Sequence, residues 1–114
     1  MENISTIING FMLELRRGTI IIGVLSQLQQ PQYGYSLVAV LEEKGMSVDA
    51  GTLYPLLRRL EKQGILASEW DTTEARPRKY YLLSPLGKEV YEQLCVEWRG
   101  MISSVEQIIT SKED

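Results

Sequence analysis

The apolar residues of this chain repeat at helical intervals near both ends and change step once in between. Ile4, Ile7, Ile8, Phe11 and Leu15 recur at three- and four-residue intervals, as one face of a helix does. A second helical stretch has Ile20, Ile21, Val24, Leu25 and Leu28 on its buried side. The pattern leaves open whether these are one helix or two joined near Gly18. Pro31 closes the run, because proline disfavours helix at the residue before it. Residues 33–44 predict the next helix, with Leu37, Val40 and Leu41 apolar and Gly45 placed for a left-handed residue past its end. Residues 46–49 read as a short turn with Val48 dipping into the core. Asp49 is an N-cap candidate for a third helix over residues 50–63, which Gly64 stops. Pro55 lies inside that span and must fall near the first turn or lose a backbone hydrogen bond, which moves the expected start toward Thr52.

The period then drops to two. Residues 65–70 and 78–83 are rich in β-formers and flank a polar stretch at 71–77, the pattern of a hairpin with a loose tip. Tyr81 and Leu83 alternate as an inward pair, with Trp70 expected beside them. Ser84 offers an N-cap and Pro85 a first helical position for a last helix reaching about Thr110. The fold class expected is mainly α with a small β-hairpin (α+β). A winged helix-turn-helix with an N-terminal helical extension covers residues 1–84, a C-terminal dimerisation helix 85–110, and a tail 111–114. In that plan the third helix enters the major groove and the hairpin, or wing, reaches an adjacent phosphate strand.

Composition narrows the chemistry. A chain of 114 residues with 44% hydrophobic and 24% charged residues makes one soluble domain. No apolar run approaches the roughly 18 residues a membrane span needs. No basic-then-apolar leader opens the chain, so a cytoplasmic location with no membrane partner is expected. Cys95 is the only cysteine and there is no histidine, so metal sites lack their usual ligands and Ser-His-Asp or Cys-His nucleophiles are excluded. Neither a phosphate-loop nor a dinucleotide glycine motif occurs. No enzyme, cofactor or metal is expected.

The net charge of −3 at first argues against nucleic acid, but its distribution argues for it. Residues 51–62 and residues 72–83 each carry +2, whereas the chain from Gly87 onward carries −3. On the third helix, Leu53, Leu56, Leu57 and Leu60 form the core side. The opposite side presents Gly51, Pro55, Arg58 and Lys62, flanked by Thr52, Tyr54 and Arg59. Small or polar groups at the helix start suit base edges, and cations along its flanks suit phosphates. The wing adds Arg76, Arg78 and Lys79, three cations within four residues, and Arg16 and Arg17 form a further basic spot.

Several of these segments resemble one known family. Gly51-Thr52-Leu53-Tyr54-Pro55-Leu56-Leu57-Arg58-Arg59-Leu60-Glu61 is similar to the recognition-helix signature of PadR-type regulators. The run from Arg76 through Pro77, Arg78, Lys79, Tyr80, Tyr81, Leu82 and Leu83 to Ser84 resembles their wing. Tyr33-Gly34-Tyr35 resembles the start of their second helix, which adds Tyr35 to the expected DNA contacts, and Arg17-Gly18-Thr19 the opening of their first. The matches keep family order from about Arg16 to Lys88. Where the family often has glycine before the wing arginine, Ala75 stands here.

The last helix carries a heptad-like seam, Tyr91, Leu94, Trp98, Met101, Val105 and Ile108, widened by Val90, Ile102 and Ile109. With Ile4, Ile8 and Phe11 at the start of the chain, this apolar surface is broader than one small domain covers. A two-fold homodimer is the expected solution, setting two recognition helices about 34 Å apart. The resemblance implies the same dimer. It also extends to the family's multidrug-sensing (LmrR-type) branch, where a tryptophan at the position of Trp98 faces its symmetry mate across an apolar pore. By that resemblance Met12, Leu15, Thr19 and Trp98 line a pocket for a planar hydrophobic molecule. Ile102 stands where that branch has an acid, removing a partner for cationic compounds. The expected function is a sequence-specific repressor binding double-stranded DNA as a homodimer. The alternative is a winged-helix protein-interaction adaptor.

Overall fold

The computed structural model describes residues 3–111. Residues 112–114 of the expected tail lie outside the described residues. Helix α1 (Ile4–Ser26) starts from Asn3, whose side chain accepts a hydrogen bond from the Thr6 N–H at 2.9 Å. It runs unbroken through Gly18, so the two N-terminal stretches are one helix of 23 residues. The helix stops at Ser26, short of Pro31, with Gln27 and Leu28 donating to the carbonyls of Val24 and Leu25. Leu28, just past the helix, is fully buried, and its carbonyl accepts from the Leu83 N–H at 2.8 Å.

Tyr33 is not helical, as the pattern had it, but extended. It lies in strand β1 (Gln32–Tyr33) and caps helix α2 (Gly34–Glu43). Gly45 has φ +94°, the left-handed residue expected after that helix. Helix α3 (Ala50–Lys62) is capped by Asp49, whose carboxylate accepts from the Thr52 N–H at 2.9 Å. It starts at Ala50 rather than near Thr52, so Pro55 falls inside it. Proline has no N–H for the Gly51 carbonyl, a loss that falls at an exposed residue in the first turn. Gly64, with φ +81°, ends the turn after the helix.

Strands β2 (Leu66–Asp71) and β3 (Arg78–Leu83) form the wing. β1 joins the other edge of β3, giving a three-stranded antiparallel sheet in the order β1-β3-β2 with Tyr33 opposite Tyr80. Helix α4 (Pro85–Thr110) follows, with Ser84 accepting from the Gly87 N–H at 2.9 Å and Pro85 in the first position. Among the described residues the fold is mainly helical, with four helices and this small sheet.

Val24, Leu25, Leu28, Leu37, Leu41, Val48, Leu53, Leu57, Leu60, Leu66, Tyr81 and Leu83 make the core, to which α1, α2, α3 and the sheet all contribute. Leu56, expected among them, is half-buried at the core's edge. Trp70 is 63% exposed, against the expected inward position. Its alternation with Tyr81 and Leu83 is correct, since Leu66, Ser68 and Trp70 oppose Leu83, Tyr81 and Lys79. The wing extends past the end of the core: on that face Lys79, opposite Trp70, reaches Glu61 of α3, while Trp70 itself lines a cleft with Tyr54 and Arg58.

The only buried residue of α4 is Gly87. A Cβ there would stand 2.0 Å from the Ile65 carbonyl oxygen, so the root of α4 presses directly on the turn between α3 and β2. Beyond that contact Tyr91, Leu94 and Trp98 are half-buried, and residues 99–110 are all exposed.

Candidate nucleic-acid interface

The start of α2, the outer side of α3 and the wing meet along one edge of the molecule. Gly34 brings α2 against α3: a Cβ on it would lie 2.5 Å from the Tyr54 ring. Where the three elements meet is a cleft of about 410 Å³, lined by Tyr33, Gly34, Tyr35, Tyr54, Arg58, Trp70, Pro77, Arg78, Lys79 and Tyr81. Gly51, Thr52, Pro55, Arg58, Arg59 and Lys62 are exposed along α3, with Tyr54 half-buried between them and the cleft. Arg16 and Arg17 of α1 gather at the first turn of α3. One groove there is lined by Arg17, Thr52, Pro55 and Arg59, and a second by Arg16, Arg17, Asp49 and Thr52. The three basic spots read from the sequence thus border one another.

The cations are not equivalent. Among the described residues two ion pairs form, Arg78 with Glu74 at 2.6 Å and Lys79 with Glu61 at 3.0 Å. Arg16, Arg17, Arg58, Arg59, Lys62 and Arg76 are exposed and join neither pair. Arg78 also lies 5.5 Å from the Tyr33 ring centre and donates to the Tyr35 hydroxyl at 2.9 Å. Tyr33 and Tyr35 stack with centroids 5.7 Å apart, and Tyr80 meets Tyr33 edge-on.

Electrostatics follow these contacts. The Tyr33 hydroxyl donates to Asp71 at 2.6 Å and, with Thr73, holds that carboxyl down at about 2, while the same bond raises Tyr33. The Ser68 hydroxyl and then Lys79 lower the Glu61 carboxyl, and Glu61 in turn raises Lys79. These groups remain charged or hydrogen-bonded throughout the neutral range.

Tyr33, Pro77 and Trp70 join the site although the sequence reading carried only Tyr35 from that stretch of α2 and turned Trp70 inward. The available signal was aromatic density, with Tyr33, Tyr35, Tyr80 and Tyr81 clustered at two places in the chain.

A second groove lies between α1 and α4 and borders this edge at Arg16. Met12, Leu15, Thr19 and Trp98 come together there with Met101, Ile102 and Val105, around a volume of about 390 Å³. Glu106 and Arg16 also line it. Glu106 stands one helical turn beyond Ile102. The seam of α4 divides: Tyr91 and Leu94 pack against the chain's own core. Met101, Val105 and Ile108 are exposed, as are Ile4, Ile8 and Phe11 of α1.

Known proteins share both sequence and fold. The model of the PadR-like family of transcriptional regulators matches residues 21–93. A transcriptional regulator of Mycobacterium tuberculosis is 35% identical over 78 residues, covering 68% of this chain and 73% of that protein. The crystal structure of a PadR family regulator from Eggerthella lenta superposes with a TM-score of 0.91 at 44% identity, over 95% of this chain and 96% of that one. One from Clostridium difficile gives 0.72 at 29% identity, over 80% and 98%. Among the described residues no helix is long and apolar enough to cross a membrane. Aligned over nearly its whole length with one such regulator and matched by the family's model across its three-helix and wing region, the chain belongs to the PadR-like family of transcriptional regulators.

Proposed function

We propose that the chain is a sequence-specific DNA-binding repressor that acts as a homodimer on a pseudo-palindromic operator. The observation that carries this reading is the row of exposed cations outside the two ion pairs, Arg58, Arg59 and Lys62 on α3 and Arg76 at the wing tip, on adjoining elements of one edge. In this reading Gly51, Thr52, Tyr54 and Pro55 face base edges, while the cations, with Arg16 and Arg17, contact phosphates. The exposed apolar faces of α1 and α4 cover those of a second copy, so residues 85–110 serve as the dimerisation segment. The groove around Trp98 accepts a planar hydrophobic molecule, and its occupancy releases the DNA.

Selection of random-sequence duplexes on the protein tests this. The expected result is a two-fold-related consensus, bound with a steep salt dependence of about 0.9 log unit per phosphate contact. Replacing Arg58 and Arg59 together by alanine lowers that slope by about 1.8. A selection that returns no shared sequence would instead mark an adaptor. Planar aromatic compounds should quench Trp98 in the parent dimer, and Trp98→Ala should lose their binding.

A further inference from the structure

Arg78 and Lys79 are consecutive on β3, and consecutive residues of a strand point to opposite faces. Both directions are occupied. On one face the Arg78 guanidinium lies over Tyr33 and Tyr35, donating through Nη1 to Tyr35 at 2.9 Å and through Nη2 to Glu74 at 2.6 Å. On that side Tyr33 also grips Asp71, whose other oxygen accepts from the Thr73 N–H and hydroxyl at the wing tip. On the opposite face Lys79 lies over the Tyr81 ring and donates to Glu61 of α3, a carboxylate that also accepts from Ser68 of β2.

The wing needs such ties. Residues 72–77 are all exposed, and a two-stranded ribbon without a covering layer is marginal on its own. Turning either cation toward a phosphate gives up these contacts and leaves a carboxylate unpaired. Arg76 has no carboxylate to leave among the described residues.

Building on the reading of α3 and the wing as the DNA-contacting edge, we propose that Arg78 and Lys79 are positioning residues. Arg78 braces the wing against α2, Lys79 braces it against α3, and phosphate contact within the wing falls to Arg76. The guanidinium is required at 78 because only its planar fork stacks on two rings while donating to two acceptors. A phosphate contact there would need only the charge.

The experiment pairs DNA affinity, measured on a duplex from the selection, with the 19F signal of Trp70 in free protein labelled with 5-fluorotryptophan. Arg78→Lys keeps the charge and should lose affinity as Arg78→Ala does, about tenfold, with the Trp70 resonance shifted in both. Tyr35→Phe removes one exposed hydroxyl, leaves the fold intact, and should shift the same resonance. Glu61→Gln should weaken DNA binding several-fold by releasing Lys79, although it removes a negative charge beside the DNA. Arg76→Ala should reduce the salt slope by about 0.9 and leave Trp70 unmoved. The proposal is overturned if Arg78→Lys binds as the parent does, or if Glu61→Gln tightens binding by freeing Lys79 for a phosphate. Absence of DNA binding by the parent itself would count against the DNA reading, and the Trp70 signal of the free protein would still decide for or against the braces.

Discussion

The two halves of α1 carry the same apolar spacing and meet opposite fates. Leu25 is 1% exposed in the core, while Phe11, on the same helix, is 58% exposed. The two ends of α4 repeat the contrast, from buried Gly87 to Ile108 at 73% exposure. Helical periodicity records that a face is apolar and says nothing of what covers it. One body, built from the second half of α1 through the root of α4, is complete in a single chain. Two arms leave that body with large apolar side chains exposed, Ile4, Ile8 and Phe11 on one and Met101, Val105 and Ile108 on the other, the surface that the proposed dimer would cover.

That contrast can be broken at either side. Leu57→Ala should be the most damaging change, since Leu57 is fully buried where α3 meets the core; a loss of about 2–5 kcal/mol in denaturant unfolding is expected. Phe11→Glu combined with Ile108→Glu should leave the body folded and raise the dimer dissociation constant at least about a hundredfold, read by sedimentation across concentrations. A parent that sediments as one chain at every concentration would end the distinction between body and arms. Asp49→Ala removes the cap of α3 and should lower stability by about 1 kcal/mol, with circular dichroism melting as the readout.

The smallest effect expected is that of acid on the wing. The folded Asp71 carboxyl, held by Tyr33 at about 2, lies below its unfolded value, so its contribution is present above about pH 4 and is lost as pH falls toward 2. With no histidine in the chain, the Trp70 resonance should stay fixed from about pH 8 to 5 and move only below about pH 4. A midpoint near pH 6 would assign the wing's tether to other groups.

What the sequence made legible was local. Asp49, Gly45, Gly64 and the Ser84-Pro85 pair act through their own backbone or the next turn, and each stands where its chemistry predicts. Strand β1 escaped because two residues have no period and its partners, Tyr80 and Tyr81, lie far along the chain. Trp70 had the right parity, but parity cannot tell how far the core extends. The unequal cations escaped for a similar reason: the partner of Lys79 is Glu61 on another element, and only the fold brings them together. Glu106 joins the groove beside Trp98 because it lies one or two helical turns along α4 from Trp98, Met101 and Ile102.

Gly87 gives α4 the character of a lever with a fixed root. The helix has 26 residues, about 39 Å at 1.5 Å per residue, so a tilt of about five degrees at that contact moves its far end by about 3 Å. In the dimer proposed above, joined through α4, such a tilt would change the separation of the two α3 helices. The missing Cβ at position 87 would then act as a gauge, and a substitution there would be read out as a changed spacing between operator half-sites.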